Sequence, residues 1–245
     1  MSTTSQAADN TKAAATASVL MARNLNKEVT SGERILTILE GLSLDVVAGE
    51  SVAILGSSGA GKSTLLSLLA GLDTPSGGEL EMFGQSLAAL DEDGRARLRA
   101  GRVGFVFQNF QLLPTLTALE NVLLPQELTD SGMNSSRGRE WLERVGLVER
   151  MHHLPKQLSG GEQQRVAIAR AFVTEPDLVF ADEPTGNLDR DTGQRIADLL
   201  FGLNRASGTT LVLVTHDLTL ANRCDRQLTL EHGRLHERQP TEAGL

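Results

Sequence analysis

The stretch Gly56-Ser57-Ser58-Gly59-Ala60-Gly61-Lys62-Ser63-Thr64 fits the pattern G-x-x-x-x-G-K-[ST] and constrains this chain more than any other segment. An apolar run, Ser51-Val52-Ala53-Ile54-Leu55, precedes it, and Leu65-Leu66-Ser67-Leu68-Leu69-Ala70 follows with helical character. This is the strand, loop and helix context in which the pattern becomes a phosphate cradle. Glycines at 56, 59 and 61 allow a tight turn that aims successive N–H groups inward, and the helix adds the positive end of its dipole. Lys62 is then placed to reach the terminal phosphates of a nucleotide, and the Ser63 hydroxyl to ligate Mg²⁺, the hard cation that polyphosphates carry.

Two later apolar runs, 177–181 and 209–214, are continuous rather than alternating, and each is bracketed by helical patterns. Such runs read as strands of a parallel sheet covered on both faces. Polar residues stand just past their carboxyl ends: Asp182-Glu183 after one and Thr215-His216-Asp217 after the other. Ligands of open α/β sheets bind at that edge, so three strands bring chemistry to one place.

Upstream, 19–25 and 35–47 alternate or run apolar around Gly32 and Gly49, which predicts a short antiparallel sheet that 78–83 extends. Residues 91–102 read as an arginine-rich helix with a solvated face. Residues 103–107 read as a buried strand ending at Gln108, and 109–121 as a loop entering a helix. A further helix, 135–148, carries Trp141 as a packing residue. His152 and His153 lie in a polar turn without nearby ligands at metal spacing.

At 245 residues the chain has room for one good core and a second lobe. With 31 acidic against 23 basic side chains, its formal charge of −8 argues against a general nucleic-acid surface. Cys224 is the single cysteine, so no internal disulfide forms, which suits a reducing compartment. No segment offers the roughly 20 uninterrupted apolar residues of a membrane-spanning helix. Residues 1–17 lack the apolar core of a signal peptide and read as a disordered leader, and 238–245 as a flexible tail.

A second motif, Leu158-Ser159-Gly160-Gly161-Glu162-Gln163-Gln164-Arg165, enters the helical stretch 166–171. Ser159 followed by Glu162 is a capping box, and the two glycines leave N–H groups uncovered. By itself this is a capped helix or an anion site. Beside the phosphate loop it resembles the signature of the ABC ATPases, L-S-G-G-Q, with Glu162 where that family often has Gln. The resemblance runs from about Val19 to Leu235. It includes Gln108 as the Q-loop residue, 178–182 as the Walker B strand, Glu183 directly after it, Asn187-Leu188-Asp189 as the D-loop and His216 as the switch histidine.

The resemblance implies an α/β P-loop NTPase fold: a RecA-like parallel-sheet core, an N-terminal antiparallel β subdomain and a helical subdomain inserted at about 90–160, all within 18–237. It implies ATP and Mg²⁺, with Ser63, Gln108 and Asp182 at the metal. Glu183 would orient or deprotonate the attacking water, His216 would contact the γ-phosphate, and Gln108 would report nucleotide state. It also implies a head-to-tail dimer of two copies, in which Ser159, Gly160, Gly161 and Glu162 of one chain, with Asp189, face the nucleotide on the loop of the other. The family usually stacks adenine on an aromatic residue, often Tyr. This chain has no tyrosine, and Val29 is the best counterpart. A missing stack could cost on the order of 1 kcal/mol of nucleotide affinity.

Within the family, 105–108, 112–116, 118–122 and 181–189 resemble the bacterial branch of lipoprotein-release and macrolide-export ATPases, closest to the YbbA-type subunits. That implies an integral membrane permease with a large periplasmic part, supplied by another polypeptide and docking on 108–122, at the cytoplasmic face of the bacterial inner membrane. Extraction of lipidic or hydrophobic molecules and force transmission to the periplasm both fit. A signalling role without transport is one alternative. A soluble ABC ATPase acting on nucleic acid or translation is another, though coil insertions, a basic surface and a second cassette are absent.

Overall fold

The computed structural model describes residues 18–32, 34–127, 129 and 134–238. The leader 1–17 and the tail beyond 238 lie outside the described residues, while Arg238 itself ends a strand. Two sheets organise the chain. The first holds β1 (Ser18–Ser31), β2 (Arg34–Val47), β4 (Gly77–Met82) and the short β5 (Gln85–Ser86), in the antiparallel order β2-β1-β4-β5. The second has the order β10-β9-β3-β8-β7-β6, from β3 (Ser51–Leu55), β6 (Val103–Phe107), β7 (Leu178–Asp182), β8 (Thr210–Thr215), β9 (Arg226–Glu231) and β10 (Arg234–Arg238). All its pairings are parallel except β9 with β10. This is the expected α/β architecture of parallel core and antiparallel subdomain.

The continuous apolar runs acquire their physical reason here. Leu178, Phe180, Val212 and Val214 face a core shared with the antiparallel sheet and α1 (Lys62–Leu69). Their neighbours Val179, Ala181, Leu211 and Leu213 face a second core. That core is built with α3 (Ala118–Glu127), α4 (Ser135–Arg144), α5 (Gly160–Phe172) and α6 (Arg190–Ser207). Because successive side chains of a strand point to opposite faces, both faces must be apolar when both are covered. Trp141 lies in the second core, stacked on Phe172 with ring centroids 5.9 Å apart.

The structure differs from the sequence expectations in three places. Residues 103–107, expected as a buried strand, form strand β6, which pairs in parallel with β7. It is the edge of its sheet, so only Gly104 and Val106 are buried and the other three residues are half-buried. Helix α2 (Glu92–Arg99) is arginine-rich, but its arginines are not simply solvated. Arg99 donates to the Gly71 carbonyl at 2.7 Å and Arg95 to that of Leu90 at 3.0 Å, and burial lowers the Arg99 pKa. Helix α4 stops at Arg144, since Gly146 turns left-handed with φ 69°.

Among the described residues, no helix is long and apolar enough to cross a membrane. Gly104 permits the close approach of β6 to α5, because a Cβ there would overlap the Ala171 carbonyl oxygen. Gly104→Ala should therefore push strand from helix and cost about 1–3 kcal/mol of stability, seen as a lower urea midpoint at unchanged slope. An unchanged midpoint would show that this contact does not set the spacing.

Candidate functional site

Strand β3 is buried along its whole length and gives way to Gly56 directly after Leu55. A Cβ on Gly56 would lie 2.8 Å from the Leu230 carbonyl, so the loop leaves the strand where β9 allows no side chain. At its other end Gly61 has φ 95° and serves as the N-cap of α1, with no side chain satisfying the first-turn N–H groups. These donors surround a concavity. Lys62 folds into it, donating to the carbonyls of Gly56 at 2.9 Å and Ser57 at 3.0 Å.

The ends of β7 and β8 meet this loop. Ser63 Oγ donates to Asp182 Oδ2 at 3.0 Å. Burial pushes the Asp182 pKa up, and the neighbouring Glu183 adds to that, while the Ser63 hydrogen bond and Lys62 oppose it. A half-buried carboxylate that burial disfavours, beside a hydroxyl, is a hard-oxygen pair that fits a divalent cation. Glu183 adopts φ 44°, a strained conformation for a non-glycine residue, and its N–H is bonded to the Val214 carbonyl at 2.9 Å. Its Oε1 lies 2.9 Å from His216 Nδ1 and 3.8 Å from Lys62 Nζ, and its Oε2 accepts from Thr215 Oγ1 at 3.1 Å. The Glu183 side chain is 13% exposed and that of His216 is 69% exposed.

A cavity of about 690 Å³ joins these groups, lined by residues of the phosphate loop with Ile38, Gln108, Asp182, Glu183 and His216. Gln108 donates from Nε2 to Asn187 Oδ1 at 3.1 Å, and Asn187 returns a bond to the Gln108 carbonyl at 3.0 Å. A larger cleft of about 810 Å³ opens at the amino ends of the parallel strands around Trp141 and Arg144 and collects none of these groups.

Not every candidate residue reaches the cavity. Val29 pairs with Leu36 in the β1–β2 hairpin and is 39% exposed, outside the lining; Ile38 stands there instead. Ile38 touches the loop, since a Cβ on Gly61 would meet its Cγ2 at 3.1 Å. Its place was concealed by the strand alternation, which reports a face but not which face meets the loop. Asp189 caps α6, accepting from the Thr192 N–H at 3.0 Å, and that bond holds its carboxyl below the usual range.

Ser159, exposed, and Gly160, Gly161 and Glu162, half-buried, form a helix tip outside the cavity lining. The capping box is present: Ser159 Oγ accepts from the Glu162 N–H at 3.3 Å, and the Ser159 N–H donates to Glu162 Oε2 at 2.8 Å. These Ser159 contacts keep the Glu162 carboxyl below its ordinary range. The glycines have a packing reason besides open N–H groups. A Cβ on Gly161 would sit 2.6 Å from Thr192 Cγ2, and one on Gly160 would sit 3.3 Å from Leu188. The tip is tied to the site from behind, where buried Gln164 donates to the Pro184 carbonyl at 2.7 Å.

Residues 39–186 match the family model described as ABC transporter. Over 221 residues the chain is 58% identical to the ABC transporter ATP-binding protein YbbA of Escherichia coli K12, covering 89% of this chain and 97% of that one. It is 49% identical to the lipoprotein-releasing system ATP-binding protein LolD of Xanthomonas campestris pv. campestris strain 8004, covering 92% and 95%. Among solved structures, the dimeric post-hydrolysis state of the ATP-binding cassette MJ0796 bound to ADP and Pi superposes with a TM-score of 0.84. That likeness has 40% identity and covers 92% of this chain and all of that one.

A raised folded-state pKa means that folding disfavours ionised Asp182; the cost is absent below the ordinary carboxylate range, grows as the pH rises from there to the raised value, and is constant above it. Asp182→Asn should therefore melt slightly higher than the parent at pH 7, on the order of 1–2 °C for a screened, half-buried group. The difference should close as the pH falls below about 4. A lower melting temperature at pH 7, measured without nucleotide, would contradict the burial argument.

Proposed function

The chain belongs to the ABC transporter family of ATP-binding, ATP-hydrolysing subunits, and from that premise we propose how its own residues divide the work. The N–H groups of residues 56–64 hold the phosphates of ATP. Lys62 exchanges its two neutral carbonyl partners for the terminal phosphates, a gain because hydrogen bonds between ions are the stronger ones. Ser63 and Asp182, with Gln108 released from Asn187, are the oxygen donors that would hold Mg²⁺, which neutralises charge on the phosphates. Glu183 orients or deprotonates the attacking water. His216, whose Nδ1 lies against Glu183 here, turns from it towards the γ-phosphate.

The observation that carries this reading is the gathering of Lys62, Ser63, Asp182, Glu183 and His216 around one cavity while the Ser159 tip stays outside it. One chain thus holds half of a site. The tip of a second copy completes it, head to tail, with two ATP molecules between the subunits. The solved MJ0796 cassette is itself dimeric, which supports that arrangement. Closure is driven by γ-phosphate contacts that only the closed form makes, and hydrolysis releases it.

That cycle works on a membrane permease supplied by another chain. A groove of about 600 Å³ beside β6 is lined by Phe105, Phe107, Leu113 and Leu124 and edged by Arg97 and Arg99. It adjoins the segment 108–122, and Leu113 is 46% exposed there, so we place the permease contact on it. The likeness to lipoprotein-releasing proteins favours a permease of the large-periplasmic-domain type, with the ATPase at the cytoplasmic face of the inner membrane. Extraction of lipidic molecules or transmission of force to the periplasm is then the output.

Glu183→Gln should keep ATP binding, lower turnover by about a hundredfold or more, and accumulate as an ATP-bound dimer in size-exclusion chromatography. Steady hydrolysis at the parent rate in that variant would remove Glu183 from the chemistry.

A further inference from the structure

We propose that Thr215 is a positioning residue for the Glu183 carboxylate, fixing its Oε2 so that Oε1 is the oxygen presented to water; this rests on the role given to Glu183 above. Thr215 is the last residue of β8 and is fully buried. Its hydroxyl accepts from the Asp217 N–H at 3.0 Å and donates to Glu183 Oε2 at 3.1 Å. An N–H has only a proton to give, so the Asp217 bond occupies a lone pair of the hydroxyl and commits the hydroxyl's own proton to the carboxylate.

The two carboxylate oxygens therefore have different partners. Oε1 faces His216 and Lys62, the groups that nucleotide phosphates would attract. His216 is mostly exposed and has room to turn. Oε2 faces a hydroxyl in the strand itself, which nucleotide has no means of moving. When phosphates take over Lys62 and His216, the Thr215 bond remains and keeps the carboxyl group from rotating. The Glu183 backbone is fixed by the same strand, through its N–H bond to the Val214 carbonyl. Both ends of the residue are thus referenced to β8, and the strain at its φ of 44° is held by that pairing.

The test uses the purified full-length protein, with ATP turnover, ATP binding and thermal melting measured side by side. Thr215→Val keeps the shape and removes the hydroxyl. It should lower kcat by about tenfold to a hundredfold while KM for ATP stays within about twofold, and Thr215→Ser should recover most of the rate. In a Glu183→Gln background, Thr215→Val should add little further loss, because a residue that acts through the carboxylate has nothing left to position. A parent-like kcat in Thr215→Val overturns the inference. So does an equal fall of rate and melting temperature in both the Val and Ser variants, or a full multiplicative loss in the double variant, each of which marks a structural role. Parent-rate turnover in Glu183→Gln alone would fail the underlying assignment of Glu183, whereas an inactive Glu183→Gln beside a fully active Thr215→Val fails only this one.

Discussion

Strands β7 and β8 are covered on both faces, and everything chemical in the molecule follows from that. A strand with two apolar faces has no place for a polar side chain along its length, so Asp182, Glu183, Thr215 and His216 collect where the strands end. Strand β3, paired to β8 in the same register, ends at the same edge and delivers the phosphate loop there. Covering the sheet requires the antiparallel sheet and α1 on one side and a layer of helices on the other. The cores are thus the reason that Lys62, Ser63, Asp182, Glu183 and His216, carried at three strand ends, share one cavity.

Much of this was legible because continuous apolar runs, a glycine pattern and the polar residues after each run are local signals. What escaped was set by neighbours. Strand β6 has the same apolar texture as β7, yet it lies at the sheet edge and is only half-buried, and nothing inside 103–107 announces an edge. The arginines of α2 look like a charged surface, but Arg99 reaches the Gly71 carbonyl across a tertiary contact. Ile38 is an apolar side chain at the loop because of how the hairpin lies over it, which the strand pattern alone did not announce. Thr215 reads as one polar residue among three; its bond to Glu183 spans 32 positions and exists only through the pairing of β7 with β8.

The glycines of the second motif hold a related lesson. They suggest an anion-binding helix tip, and they also let α5 pack against Leu188 and Thr192. Packing of the tip against the start of α6 sets its position, and a helix N-terminus held in this way is suited to an anion. Gln164 then links the helix to Pro184, one residue beyond the strained Glu183. The helix tip and the carboxylate at the cavity are therefore joined by a single buried side chain.

That one chain holds only half of a site is tested most directly by specific ATPase activity measured against protein concentration, with molecular mass followed in the same samples. Activity per subunit should rise with concentration as ATP-bound dimers form and fall towards zero where the mass is that of a monomer. Constant activity per subunit from a strict monomer across the whole range would contradict the shared site.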